Sequence, residues 1–124
     1  MHFYSLTGSV RDEKALAADY RPAREIGVIR LGEEVLYFRK QRKIFYVPYD
    51  EIRQCFRQVM LVPARLCCGQ GNLSVENFVI CTDAGELAQI QIPGERAGKA
   101  LLEEIRVRAP KAEIGYWKNK DAEE

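Results

Sequence analysis

The sequence holds a single histidine, His2, at its amino end. A Ser/His/Asp or Cys/His nucleophilic centre therefore lacks a plausible general base, which removes most hydrolase chemistry. No run approaches the ~20 consecutive apolar residues of a membrane-crossing helix. Met1-His2-Phe3-Tyr4-Ser5-Leu6 also lacks the basic stretch and apolar core of a secretory signal, so a cytoplasmic location is expected. The four cysteines, Cys55, Cys67, Cys68 and Cys81, include no C-x-x-C pair. Adjacent thiols chelate poorly, and reduced, metal-free cysteines are the expectation.

Basic excess is missing as well. Nineteen Lys and Arg against eighteen Asp and Glu leave a net charge of +1, too little for broad neutralisation of a phosphate backbone, so no nucleic-acid partner is expected. Gly69-Gln70-Gly71 has neither a following helix nor a P-loop lysine and is no nucleotide cradle. The carboxylate pairs Glu33-Glu34, Asp50-Glu51 and Glu103-Glu104 are sequence neighbours, which diverge on strands and helices alike. No catalytic residue, metal ligand, cofactor site or small-molecule substrate is implied, and the protein is expected not to be an enzyme.

What is present is an ordinary globular composition, 47% hydrophobic and 30% charged over 124 residues, enough for one core. Three stretches differ in character. Residues 1–25 form an N-terminal segment with a short helix around Ala15-Leu16-Ala17-Ala18, N-capped by Asp12 and interrupted at Arg21-Pro22. Residues 26–110 carry β-branched and aromatic runs separated by turn residues, predicting successive antiparallel strands at 26–31, 35–38, 44–47, 52–60, 75–82 and 86–92. After Pro93-Gly94, Ala97, Leu101, Ile105 and Ala109 recur at four-residue spacing, predicting an amphipathic helix of about fifteen residues. Residues 111–124 are a polar tail in which Ile114, Tyr116 and Trp117 are the groups able to pack back.

The turn Arg39-Lys40-Gln41-Arg42-Lys43 has no Gly or Asn for the positive φ of a two-residue type I′ loop, so a four-residue loop over 40–43 is expected. That loop sets Phe38 opposite Phe45, Leu36 opposite Val47 and Tyr37 opposite Tyr46, with the first two pairs facing inward.

Strands followed by one helix, the step Ile44-Phe45-Tyr46-Val47-Pro48-Tyr49-Asp50-Glu51-Ile52 and the strand-Pro-helix passage over 89–105 resemble bacterial pleckstrin-homology-like, or GRAM-like, domains. The resemblance covers residues 26–110. It implies a mainly β fold, a PH-like barrel of six or seven antiparallel strands in two sheets capped by one C-terminal α-helix. Leu101, Leu102 and Ile105 would seal the open end. It also implies a protein that binds partners or itself. Where such domains place cations for phosphoinositides, the loop between the first two strands, this chain has Glu33 and Glu34, which argues against that ligand.

Two features are candidates for contact. Arg39, Lys40, Arg42 and Lys43 crowd one hairpin tip, with Arg53 and Arg57 as possible additions from the next strand. They suit an acidic protein or self-partner, or alternatively an anionic membrane surface, unless they merely solvate the hairpin. Tyr37 and Tyr46, with Val35 and Ile44, make an outward apolar face. It is either a contact surface for a partner or a second copy, or is covered by the N-terminal segment.

Overall fold

Positive φ angles mark where the chain reverses: Gly27 (62°), Gln41 (53°), Arg42 (69°) and Gly85 (111°). The computed structural model describes residues 2–8, 10–63 and 72–115, and for 60–63 and 72–74 the backbone alone. Between the turns lie nine strands: β1 (Phe3–Ser5), β2 (Arg24–Ile26), β3 (Ile29–Leu31), β4 (Val35–Lys40), β5 (Lys43–Pro48), β6 (Gln54–Pro63), β7 (Asn72–Thr82), β8 (Gly85–Ile92) and β9 (Glu113–Ile114). Two helices, α1 (Glu13–Tyr20) and α2 (Glu95–Arg108), join these strands among the described residues.

The protein is mainly β, with two sheets and a C-terminal helix. The first sheet has the order β1-β5-β4-β3-β2 and the second β8-β7-β6-β9; they do not close into a barrel. Two meanders form most of both, β2 to β5 and β6 to β8, joined by a 3₁₀ turn at Tyr49–Glu51. Strand number and direction differ from the expected six or seven antiparallel strands. The stretch 26–31 is split, because Gly27 supplies positive φ at the first position of a two-residue loop between Ile26 and Ile29. Two short strands from the ends of the chain add in parallel, β1 along β5 and β9 along β6.

The β4–β5 register is as expected, Leu36 with Val47, Tyr37 with Tyr46 and Phe38 with Phe45, but the loop is not. Lys40 pairs with Lys43, and Gln41 and Arg42 turn the chain alone, both with left-handed backbone. Each non-Gly residue held there costs about 1–2 kcal/mol. The pairs behind the turn outweigh that cost, since Phe38 and Phe45 stack at 5.5 Å and Leu36 and Val47 are wholly buried. A four-residue loop over 40–43 and this two-residue one share the same midpoint, and both set Arg39 opposite Ile44, so the register is the same for both.

Val35, Leu36, Tyr37 and Phe38 are all buried, the mark of a strand covered on both faces. On one face Leu36, Phe38, Ile29, Leu31 and Val47 meet Phe78, Ile80, Ile90 and Ile92 of the second sheet, with Leu101 and Ile105 of α2. On the other, Val35, Tyr37 and Tyr46 meet Phe3, Leu16 and Tyr20. The N-terminal segment builds this second core. Asp12 caps α1, its Oδ2 accepting from Ala15 N at 3.1 Å, and Leu16 and Tyr20 face the sheet one turn apart.

α2 is anchored by its apolar face and by charge. Leu101 and Ile105 are wholly buried, while Leu102, expected beside them, is half-buried. Arg108 donates to Gly32 O at 2.7 Å and to Glu104 at 3.0 Å, and Glu104 also pairs with Arg24 of β2. Gly98 lets the helix lie against the nearly buried Arg57–Glu76 pair, where any Cβ would overlap the Glu76 carboxylate.

Candidate interaction surface

Tyr37 and Tyr46 are no contact surface: they are 0% and 3% exposed beneath α1 and β1. Their hydroxyls point into the N-terminal segment. Tyr37 donates to Asp19 Oδ2 at 2.8 Å, and Tyr46 Oη accepts from Arg11 N at 3.2 Å. Burial, reinforced by the neighbouring Asp19 carboxylate, pushes the Tyr37 hydroxyl well above the usual tyrosine range. Asp19 also accepts from Glu33 N at 2.8 Å, so one carboxylate ties α1 to the turn before β4. Val35 is buried with the tyrosines and Ile44 is half-buried. The alternative reading of that face, cover by the N-terminal segment, is the one observed.

Arg39, Lys40, Arg42 and Lys43 are all exposed. Among the described residues none of the four lies within ion-pair distance of a carboxylate, whereas Arg11, Arg24, Arg30, Arg53, Arg57 and Arg108 each do. Arg53 and Arg57 do not join the tip. Arg53 pairs with Asp83 at 2.8 Å, and Arg57 is held by Glu76 inside the molecule. The tip cations thus form a patch of one sign on a strained two-residue loop.

Beside this patch lies an aromatic ledge that sequence spacing alone does not disclose. Lys43 Nζ stands 5.2 Å from the centre of the Tyr4 ring, which is 37% exposed and lies 5.8 Å from Phe45. His2 stacks edge-on against Tyr4 at 4.7 Å, and its Nδ1 is 2.8 Å from Glu13. The ledge forms because β1 adds parallel to β5, setting Tyr4 opposite Phe45. Next to it a groove of about 550 Å³ runs between the tip end of the first sheet and β8, lined by Leu6, Phe38, Lys40, Phe45, Leu87 and Ala88 together with Glu86 and Gln89.

At the opposite end of the hairpin, Glu33 and Glu34 line a cleft of about 320 Å³ with Arg11, Tyr49, Asp50 and Arg108. Both of its arginines are engaged: Arg11 pairs with Glu34 at 3.1 Å and Arg108 with Gly32 O and Glu104. Tyr49 donates to Gly32 O at 2.8 Å, and burial raises its pKa.

The described cysteines are free thiols. Cys55 is the wholly buried one; burial pushes its thiol up. Cys81 is half-buried. Ile80 faces Cys55 and takes the core position, and a register shift between Ile80 and Cys81 follows. Cys67, Cys68 and the 69–71 loop lie outside the described residues, as do Tyr116 and Trp117. Among the described residues no cluster of three or more His, Cys, Asp or Glu side chains is placed to hold a metal ion, and no helix is long and apolar enough to cross a membrane.

Comparison with protein-family models, with curated proteins and with solved structures returned no match to this chain.

Proposed function

We propose that this protein is a noncatalytic interaction module with a PH-like arrangement, and that it docks an acidic protein segment on the 39–43 hairpin tip. One observation carries the reading. Four exposed cations share a two-residue turn region and have no carboxylate partner among the described residues, in a molecule that pairs six other arginines. Like charges so close repel one another, and an incoming anionic chain relieves that repulsion. The left-handed Gln41 and Arg42 add a second support, because strain of this kind accumulates where a side chain must be presented. A four-strand meander, a three-strand meander and a helix, in that order, accord with the PH-like resemblance.

The test is fluorescence anisotropy with a labelled polyglutamate peptide, run beside sedimentation with phosphatidylcholine vesicles containing phosphatidylserine. The reading expects saturable, salt-sensitive peptide binding, weakened about tenfold or more by combined Lys40→Glu and Arg42→Glu. Retention on the vesicles with no peptide binding would transfer the tip to a membrane-surface role.

A further inference from the structure

β8 stands at one end of the second sheet. Among the described residues its one strand neighbour is β7, and no backbone hydrogen bond from a turn or loop reaches its other edge. An eight-residue strand with one free edge is a ready template for another chain. Edges of this length are commonly blunted by lysine, proline or a bulge. Gly85-Glu86-Leu87-Ala88-Gln89-Ile90-Gln91-Ile92 contains neither lysine nor proline; its bulge is the extra residue Leu87, between the pairs Ile80–Ala88 and Cys81–Glu86, and from Ala88 to Ile92 the strand pairs with β7 in unbroken register. The edge borders the groove lined by Leu6, Phe38, Phe45, Leu87 and Ala88, whose polar lining is Lys40 of the cationic tip, Glu86 and Gln89. Glu86 takes a hydrogen bond from Gln89 Nε2 at 2.7 Å.

We infer that an extended segment of a partner protein adds to the free edge of β8 as a further strand of the second sheet. Its alternate apolar side chains enter the groove, and a flanking acidic run continues to the tip. The occupant follows from the surroundings. Unpaired backbone donors and acceptors select an extended chain, the apolar walls select small aliphatic side chains at every second position, and Lys40 beside Arg39, Arg42 and Lys43 selects carboxylates. Glu86 disfavours a carboxylate directly over the start of β8, so the acidic run lies toward the tip and not over the groove. This inference rests on the tip-docking reading above and adds to it a backbone site and a polarity for the bound chain.

The experiment uses the full chain and a fluorescein-labelled peptide in which a run of glutamates precedes alternating valine and threonine. Companion peptides carry lysines in place of the glutamates, or N-methyl groups on the amides of one edge or the other. The parent peptide is expected to bind. The lysine version and the Lys40→Glu, Arg42→Glu protein should each bind about tenfold more weakly. Methylation should abolish binding for one peptide edge and spare it for the other, and amide exchange should slow selectively across β8. Equal binding by both methylated peptides, with β8 exchange unchanged, overturns strand addition while leaving tip docking standing. No peptide binding at all overturns both. Protection of β8 that grows with protein concentration in the absence of peptide assigns the edge to a second copy and overturns the inference.

Discussion

Where β4 begins, Gly32 O accepts from Tyr49 and Arg108, Glu33 N donates to Asp19, and Arg11 reaches Glu34. Where β4 ends, four cations stand in solvent on a turn with two left-handed residues. The same hairpin thus has one end cross-linked to both helices and another whose cations have no carboxylate partner among the described residues. Charges at the first end are matched and partly buried, so removing them unties α1 and α2 from the sheet. Charges at the second are screened and repulsive, so removing them should cost the fold nothing.

The largest effect expected is at the anchored end. Leu101→Ala, which loosens the helix that delivers Arg108 to Gly32, should lower stability by about 2–5 kcal/mol in denaturant unfolding. An unchanged midpoint would show that α2 contributes little to this end. Gly32→Ala should cost about 1–3 kcal/mol, because the new Cβ would overlap the Asp19 carboxylate. That carboxylate cannot swing away without releasing Tyr37 and Glu33 N. A Gly32→Ala protein as stable as the parent would mean that Asp19 is not pinned, and would blur the contrast between the two ends.

Tyr37→Phe should cost about 0.5–1.5 kcal/mol by deleting the bond to Asp19. The same tyrosine predicts a pH dependence. Burial raises the folded pKa of Tyr37, and burial also raises that of Tyr49, so the unfolded chain releases these protons first. Stability is then fully present below about pH 10, the usual tyrosine value, and falls as pH rises beyond it. Alkaline unfolding of Tyr37→Phe should show a shallower fall; an identical slope would remove Tyr37 from the account.

At the free end the expected changes are smallest and of opposite sign. Arg42→Gly relieves one left-handed residue and should stabilise by about 0.5–1 kcal/mol, after allowance for the greater freedom of glycine in the unfolded chain. Lys40→Ser should alter stability by no more than about 0.5 kcal/mol while weakening capture of the acidic peptide. Substantial unfolding by Lys40→Ser would place the tip among the structural elements and break the comparison.

Much of the fold was legible because it rests on local pattern. The β4–β5 register came out as expected, though from a loop of the wrong length with the same midpoint, the Asp12 cap followed from a short polar side chain before an Ala-rich run, and the inward face of α2 from four-residue spacing. The loop was misjudged because turn propensity was weighed without the cross-strand pairs that overrule it. Half of the candidate site was legible as well: the tip cations stand exposed, as their density implied. The other half was not. Tyr37 and Tyr46 read as an outward apolar face, and whether that face was surface or core depended on a helix more than fifteen residues earlier in the chain.

The amino-acid sequence, taken alone, determined the strand-rich character, the succession of antiparallel strands and the terminal helix, since periodicity and turn chemistry act over a few residues. Tertiary structure decided what those elements enclose. It placed β1 along β5, which created the Tyr4–Phe45 ledge, and laid α1 on the first sheet, which made Tyr37 core. It paired Arg53 and Arg57 away from the tip and, among the described residues, left β8 with a free edge beside it. Each of these joins residues distant in the chain, through packing and charge pairing that no local window contains.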